Sequence, residues 1–565
     1  MDRRRVGAGV IFLCLFDFSG MPSHQSHDPK EPQLKAFVSK HTAQIQPLHR
    51  EAALAYWQAA VTGESEHYDR FSALELKIRR IYSDPDEFAL LKAARDAGSL
   101  ADDLLTRQVD VLYHQYLGNQ VSPELLKQTV ELSTEIERTF STHRPTLGPE
   151  KVTDNRIKEI LKTETDPEKR KQAWLASKQV GPQVAGDLIR LVKLRNQAAH
   201  ALGFENYHTM SLVTAEQRVE DLVQLFGELD DLTREPFQRV KGQLDALLAA
   251  RLGVTVEDLR PWHYHDPFFQ ETPMVYDLDL DVYYKGKDIK TLSSQFYAGL
   301  GLDVASILDD SDLYERGGKN PHAFCTDIDR AGDVRILCNI KDNETWMETQ
   351  LHELGHAVYD KFMDQETPYL LREPAHIFTT EGIAMFFGRL SRNARWMQQM
   401  LDLSEEQRVA IEEIAGNYAQ LKQLIFARWA MVMFHFERAL YADPDQDLNA
   451  LWWDTVETYQ RVTRPQGRDE PDWAAKIHFA IAPCYYHNYL LGELFASQLH
   501  HKLVTDVIEA DDPTQVSYVG QERVGRFLVE QVFEPAAIYP WNQMIERATG
   551  ESLTAKYFVA QFVRK

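Results

Sequence analysis

The sequence predicts a mainly α-helical protein with one small β-hairpin, placed directly before a helix that carries two histidines. From about Leu34 onward, apolar residues recur at spacings near three and four, which is the period of amphipathic helices. Residues 324–328 and 334–340 depart from that period and flank a charged turn with a glycine, which predicts two paired strands. The predicted helix after this hairpin contains the sequence His352-Glu353-Leu354-Gly355-His356.

Length and charge narrow the possible classes of protein. A chain of 565 residues could hold several average domains, but large helical proteins also form one unit, and residues 33–565 are predicted as a single helical domain. The net charge of −23 argues against a nucleic-acid partner, because the phosphates would be repelled. No later segment has about 18 uncharged apolar residues in a row, so no membrane span is predicted.

The N-terminus allows two interpretations. Residues 1–32 are either a polar tail or contain a signal segment, since three arginines precede the apolar run 6–16. Asp17 ends that run early and no small-residue cleavage site follows, so a cytoplasmic location is favoured and export is the alternative. Met21 is a possible alternative start of the protein.

Local signals place several helix boundaries along the chain. Asp84-Pro85 and Ser122-Pro123 are typical of helix starts, and Gly203 is typical of the residue just beyond a helix. Residues 143–149 are predicted as a loop, and residues 215–252 as a pair of helices.

The cysteines do not predict a disulfide scaffold or a cysteine-bound metal. There are four of them, none in a Cys-x-x-Cys spacing: Cys14, Cys325, Cys338 and Cys484. Cys325 and Cys338 belong to the predicted hairpin, where they could form one disulfide or remain free thiols.

The motif at 352–356 has the layout of a zinc peptidase. Side chains four positions apart on a helix lie one above the other, so His352 and His356 would both reach one metal ion. Glu353 lies about 100° round the helix and could act on a water at the metal without being a ligand. Two imidazoles and an adjacent carboxylate therefore predict a catalytic zinc site with Glu353 as the general base.

A catalytic zinc site needs a third protein ligand, and two downstream acids compete for that role. Glu373 precedes Pro374, which disfavours helix at that position. Glu381 follows Thr379-Thr380, predicted as helix caps, and opens an apolar helical run. A carboxylate on a buried helix that faces the metal helix is the better ligand, so Glu381 is favoured, although an acid at a helix start is also stabilised by the helix dipole.

A dense set of polar-tipped side chains follows near the C-terminus, namely Lys476, His478, Tyr485, Tyr486 and Tyr489. Imidazole and phenol groups can donate hydrogen bonds to the oxyanion that peptide hydrolysis creates. A lysine can hold the terminal carboxylate of a peptide as a point charge. The same aromatic pattern also occurs in packed cores, so the residues alone leave both interpretations open.

The order and spacing of these motifs resemble the angiotensin-converting-enzyme-like peptidyl-dipeptidases, the M2 zinc metallopeptidases. The resemblance covers residues 190–500, and its matching positions are Arg195–Ala199, His322-Ala323, the motif at 352–356, Glu381, Lys476, His478, Tyr486 and Tyr489. The distance from the motif to Glu381 and the adjacent tyrosines Tyr485-Tyr486 are also similar to the thimet-oligopeptidase (M3) group.

The resemblance implies a large two-lobed helical zincin of the gluzincin type, with a deep central channel for short peptides and one Zn²⁺ per chain. It implies the metal ligands His352, His356 and Glu381, and the catalytic residues Glu353, His478 and Tyr489. It implies the substrate-binding residues His322, Ala323, Lys476, Tyr485 and Tyr486. The activity it favours is release of dipeptides from the C-terminus, with an endo-acting oligopeptidase as the alternative and a non-catalytic peptide-binding protein as a third class.

The sequence also departs from the family pattern. The acid that orients a metal-binding histidine in the family is replaced here by Met385, and the arginine that binds chloride is replaced by Asn488, so chloride activation is doubtful. The segment between His478 and the tyrosine pair is one residue longer than in the family, which makes Tyr485 a rival for either tyrosine. The oligomeric state and the side-chain preference are not predicted.

Overall fold

The structure of the protein, a computed structural model, describes residues 31–98, 100–273, 275, 279–512 and 516–563. Helices account for most of these residues, so the predicted mainly α-helical class is confirmed. Residues 1–30, with the possible signal segment and Cys14, lie outside the described residues. Among the described helices, none combines the length and the apolar character that crossing a bilayer requires.

The helices of the N-terminal half are joined mostly by short loops, with a long connection between Leu252 and Asp281. In chain order they are α1 (Glu31–Thr62), α2 (Ser65–Tyr82), α3 (Pro85–Asp96), α4 (Asp103–Gly118), α5 (Pro123–Thr142), α6 (Asp154–Thr163), α7 (Pro167–Ser177), α8 (Gly181–Ala201), α9 (Tyr207–Thr214), α10 (Val219–Leu252), α11 (Asp281–Tyr284), α12 (Ile289–Gly299) and α13 (Ala305–Asp310).

The C-terminal half continues the same pattern after a hairpin. Its helices are α14 (Glu344–Lys361), α15 (Ile377–Gly388), α16 (Ala394–Leu401), α17 (Glu405–Ala442), α18 (Leu448–Gln460), α19 (His478–Ile481), α20 (His487–Lys502), α21 (Glu522–Leu528), α22 (Trp541–Thr549) and α23 (Lys556–Phe562). The predicted signals fit the helix ends: the side chains of Asp84 and Ser122 accept backbone hydrogen bonds at the starts of α3 and α5, and Gly203, with φ +85°, lies just beyond α8.

The predicted pair of helices at 215–252 is wrong, because α10 is one helix that runs through Pro236. An interior proline removes a backbone hydrogen bond and usually kinks or ends a helix. Here Leu229 and Phe237, on either side of the proline, are fully buried, so tertiary packing holds the two segments in line.

The hairpin before α14 is confirmed, with shorter strands than predicted. Strand β3 (Phe324–Asp327) pairs antiparallel with β4 (Val334–Leu337). Cys325 and Cys338 are both free thiols, so no disulfide closes the hairpin. A second pair of short strands consists of β1 (Thr146–Leu147), within the region predicted as a loop, and β2 (Glu150–Lys151), directly after it.

Most of the buried apolar side chains belong to two large hydrophobic cores and a third, N-terminal one. The first core is built on α12, α14, α15 and α20 with the C-terminal helices. The second core is built on α5–α8, α10 and α18, and the third on α1–α4. Helix α17 belongs to both large cores, with Met431 in the first and Trp429 in the second.

Glycines bring α14, α15 and α20 unusually close together. A Cβ added at Gly355 of α14 would lie 2.7 Å from the Cα of Ala384 on α15. A Cβ added at Gly382 of α15 would lie 3.0 Å from the carbonyl oxygen of Gly492 on α20. Because these contacts leave no room for larger residues, the start of α15 is fixed against the two histidines of α14.

Candidate active site

Two helices bring three potential metal ligands together. His352 and His356 lie on α14 and Glu381 on α15, and their ligand atoms all fall within 4.8 Å of one another. The Nε2 atoms of the two histidines are 3.3 Å apart. Oε2 of Glu381 lies 3.8 Å from Nε2 of His352 and 3.9 Å from Nε2 of His356. Tetrahedral zinc with bonds near 2.1 Å separates its ligand atoms by about 3.4 Å, so the three side chains fit this ion.

The helix that carries Glu381 begins earlier than predicted. The N-cap of α15 is His376, because the helix starts at Ile377 and the side chain of His376 accepts the backbone hydrogen bond of Phe378. Thr379 takes part in the capping, since its hydroxyl accepts the backbone N–H of His376. The hydroxyl of Thr380 instead lies 2.7 Å from Nδ1 of His356. This contact fixes the imidazole ring of His356 so that its Nε2 faces the metal position.

The rival acid Glu373 has a different partner. Its carboxylate is paired with the guanidinium of Arg330, and it is not one of the three clustered groups. It lines the same cavity as the histidines, at a position near the hairpin. Geometry therefore places Glu381, and not Glu373, beside the two imidazoles.

Burial shifts the pKa values of the clustered groups in the direction that favours the neutral form of each group. The pKa of Glu353 rises to about 8 through desolvation and the nearby charge of Glu381. Desolvation also raises the pKa of Glu381 to about 7 and lowers the pKa of His352 to about 4. The pKa of His356 lies well below its ordinary value for the same reason. Neutral imidazoles are ready to bind a cation, whose charge would favour the ionised carboxylates.

A cavity of about 750 Å³ opens over these groups. Its lining includes His352, Glu353, Ala323 and Tyr489. His322 is exposed and is not among the described lining residues of this cavity. Of the predicted His-Ala pair, the structure thus brings the alanine to the cavity.

Lys476 packs against residues of the second hydrophobic core, not of the first. Its ammonium group donates a hydrogen bond of 2.7 Å to the side-chain oxygen of Gln270 and lies 5.0 Å from the ring centre of Trp429. It is 7 % exposed, and burial lowers its pKa to about 8. The sequence carries no signal for Gln270, because contact with Lys476 arises only when the two distant segments pack together.

His478 stands at the first residue of α19, next to the ring of Tyr486. The two ring centres are 5.2 Å apart in an edge-to-face arrangement. Nδ1 of His478 is buried and has no hydrogen-bond partner among the described residues. Burial lowers the pKa of this imidazole to about 4, so at neutral pH it is uncharged and can donate from one nitrogen.

The three tyrosines occupy different positions after a tight turn at Cys484, whose φ is +55°. Burial, together with the neighbouring carboxylate of Glu381, raises the pKa of the Tyr485 hydroxyl, and the ring centre of Tyr485 is 5.2 Å from that of Tyr489. The hydroxyl of Tyr486 instead accepts a hydrogen bond of 2.7 Å from the indole of Trp429. Tyr485 and Tyr489 thus face the metal ligands, whereas Tyr486 belongs to the surroundings of Lys476.

The sequence model of the angiotensin-converting enzyme family of peptidases matches residues 28–246 and 275–563. The chain belongs to this family. It is also 26 % identical over 292 residues to carboxypeptidase 1 of Bacillus subtilis, an alignment that covers 48 % of this chain and 56 % of that protein. It is 22 % identical over 261 residues to thermostable carboxypeptidase 1 of Pyrococcus furiosus, covering 42 % and 51 %. The chain spans about half the length of these curated relatives.

The structure locates the departures from the pattern of the angiotensin-converting enzyme family. Met385 lines the cavity beside the metal ligands and offers no carboxylate there. The side-chain oxygen of Asn488 accepts a hydrogen bond of 2.9 Å from Gln217, so this position is a neutral, buried amide. The sequence predicts no role for Gln270, and for Thr380 only a role as a helix cap, although both touch predicted site residues.

Proposed function

We propose that the protein is a zinc metallopeptidase that hydrolyses short peptides and releases dipeptides from their C-terminus. The observation that carries this proposal is the cluster of His352, His356 and Glu381 with the buried carboxylate of Glu353 beside it. Zinc bound there would supply a Lewis acid that polarises the scissile carbonyl and lowers the pKa of water. Membership of a family of metallopeptidases supports the same chemistry.

The protein side chains carry out proton transfer, oxyanion stabilisation and substrate binding. Glu353 accepts the proton of the attacking water and passes it to the leaving amine. Burial raises the pKa of this carboxyl to about 8, and the charge of a bound cation would favour the ionised form that acts as the base. Tyr489 and His478 donate hydrogen bonds to the oxyanion. The backbone at Ala323, just before β3, pairs with the substrate in the manner of an added strand, with His322 beside it.

The terminal carboxylate of the substrate is assigned to Lys476. The buried ammonium group and the half-buried amide of Gln270 form a pair of polar groups beside aromatic rings, with Tyr486 adjacent. A carboxylate that reached this pair would gain a charge-assisted hydrogen bond in a site of low polarity. Holding the C-terminus at a fixed distance from the metal makes the enzyme an exopeptidase.

Two other specificities have support of their own. The curated relatives are named carboxypeptidases, which favours release of single C-terminal residues. The 750 Å³ cavity lies on the Ala323 side of the metal ligands and favours an endo-acting oligopeptidase that needs no terminal group. A non-catalytic peptide-binding protein is disfavoured because the three clustered side chains and Glu353 are all present.

One assay separates these alternatives. A ten-residue peptide with a free C-terminus and the same peptide with an amidated C-terminus are digested, and the products are identified by mass spectrometry. We expect successive loss of dipeptides from the free peptide and a strongly reduced rate on the amide. Equal rates on both would contradict a role of Lys476 in binding the carboxylate, and single-residue losses would indicate a carboxypeptidase. A cytoplasmic location stays a prediction from the N-terminal sequence.

A further inference from the structure

Within the described part of the chain, the first of the two histidines, His352, lacks a hydrogen-bond partner that the second, His356, has. His356 has Thr380 at its Nδ1, whereas no hydrogen bond is found at Nδ1 of His352 among the described residues. The Nε2 of His352 faces His356 and Glu381, so its Nδ1 lies on the other edge of the ring. Metal-binding imidazoles usually donate their second N–H to a carboxylate, a carbonyl or a water, which fixes the ring and its tautomer.

A carboxylate lies one helical turn before this ring. Glu348 precedes His352 by four positions on α14, and helical side chains lean toward the N-terminus, so the ring of His352 lies over the turn that carries Glu348. Gly388 at the end of α15 packs on both residues. A Cβ added there would lie 3.4 Å from Cβ of His352 and 3.8 Å from Cγ of Glu348. The two side chains therefore share one face of α14.

The carboxylate of Glu348 is itself held in place. One oxygen lies 3.1 Å from the ammonium of Lys422 on α17, and the other lies 3.0 Å from the guanidinium of Arg392. Arg392 is anchored in turn by two bonds to Glu344, of 2.7 and 2.8 Å. An ionised carboxylate has about four lone-pair sites, so these two contacts leave acceptor capacity for a further N–H.

The geometry points to Glu348 as the positioning residue of His352, in place of the acid that is missing at Met385. The two groups are not hydrogen-bonded in this structure, but Glu348 is the strongest charged influence on the ring of His352. With a metal bound at Nε2, Glu348 would accept the Nδ1–H of His352 and so keep the neutral tautomer whose Nε2 lone pair faces the metal. Glu348, Arg392 and Lys422 line a separate cavity of about 360 Å³, whereas Met385 lines the cavity that also contains the three metal ligands. The supporting acid thus reaches the histidine from the metal helix itself and not from α15. This inference rests on the proposed metal site.

The experiment compares three variants for zinc affinity, measured by competition with a chelator, and for the visible absorption spectrum of the cobalt-substituted protein. Glu348→Gln keeps the shape of the side chain and removes its charge, Glu348→Asp keeps the charge, and Glu412→Gln removes a charge from the same cavity away from His352. We expect Glu348→Gln to weaken zinc binding by about 10-fold to 100-fold, the usual effect of losing such a partner, and to alter the cobalt spectrum. Glu348→Asp should bind zinc more tightly than Glu348→Gln, and Glu412→Gln should match the wild type.

Wild-type zinc affinity and an unchanged cobalt spectrum in Glu348→Gln would overturn the assignment. An equal loss in Glu412→Gln would also overturn it, because the effect would then come from the charge of the cavity. Thermal unfolding of the metal-free variants shows whether each is folded, and Glu348→Asp provides the comparison if Glu348→Gln is not. Both readouts work on a protein without peptidase activity, so a failure of the proposed function is recognised separately by the wild type cleaving no peptide.

Discussion

The metal side of the site is built from regular helices, whereas the side that carries Lys476 and the tyrosines is built from irregular backbone. His352, His356 and Glu381 lie on α14 and α15, in the first hydrophobic core. Lys476 lies just beyond the 3₁₀ turn Asp472–Ala475 and before the single turn of α19, against the second core. The residues of the candidate active site are therefore drawn from both cores.

The two sides also differ in charge. The metal side concentrates imidazoles and carboxylates whose pKa values are shifted by burial, so it is completed by a cation. The opposite side presents neutral donors and one buried lysine among aromatic rings. Under the proposed function the first region supplies the chemistry and the second positions the substrate, so substitutions can affect either region separately.

The largest effect on zinc binding and activity is expected from Glu381→Ala, which removes one of the three proposed metal ligands. The loss of one of three ligands should leave the protein without stoichiometric zinc after dialysis and without peptidase activity. Glu373→Ala is the matched control, because it removes a carboxylate from the same cavity that is paired with Arg330. Metal analysis checks both variants, and zinc loss in Glu373→Ala alone would make Glu373 the ligand.

Glu353→Gln separates chemistry from metal binding on the same helix. Removing the general base should lower kcat by about 10³-fold, within the usual range for proton-transfer catalysis, while the zinc content stays at one per chain. Steady-state kinetics and metal analysis on the same preparation test this result. Wild-type kcat would show that Glu353 is not the base.

Tyr489→Phe tests which tyrosine faces the reaction. Loss of one oxyanion donor should lower kcat by about 10²-fold with little change in KM. Tyr486→Phe should act mainly on KM, because its hydroxyl is bonded to Trp429 beside Lys476. A larger fall in kcat for Tyr485→Phe than for Tyr489→Phe would exchange the two assignments.

Lys476→Met removes the ammonium group proposed to bind the substrate and leaves the metal ligands unchanged. Losing a hydrogen bond to a charged group should raise KM for peptides with a free C-terminus by about 10-fold, and leave amidated peptides unaffected. Because burial lowers the pKa of Lys476 to about 8, the ammonium form is lost as pH rises through that value. In the wild type, KM for the free peptide should therefore rise between pH 7 and 9, while KM for the amide should not.

The smallest expected effect concerns the close contact of α14 and α15. Gly355→Ala should lower the free energy of unfolding by about 1–3 kcal/mol, since its Cβ would meet backbone atoms of Ala384. Gly186→Ala in α8 is the control: no atom outside its own helix lies within 4 Å, so it should leave stability unchanged or raise it by up to about 1 kcal/mol. Chemical denaturation measures both, and an unaffected Gly355→Ala would show that the two helices can move apart.

Much of the fold followed from local patterns. The helical class, the hairpin at Phe324–Leu337 and the starts of α3 and α5 all depend on residues close together in the chain. The errors arose where distant packing overrides a local signal. Pro236 does not end α10, because buried neighbours hold the helix together, and Thr380 serves His356 instead of capping α15.

The sequence by itself determined the side chains that share one helix, because the period of the α-helix places His352, Glu353 and His356 without reference to the rest of the protein. Only the tertiary structure decided which acid stands opposite them, which tyrosine touches Glu381, and that Gln270 meets Lys476. These contacts join segments far apart in the chain, and their geometry is set by close packing of helices at glycines and aromatic rings. No periodicity in the sequence encodes such packing, so the supporting groups of the site were visible only once the cores were assembled.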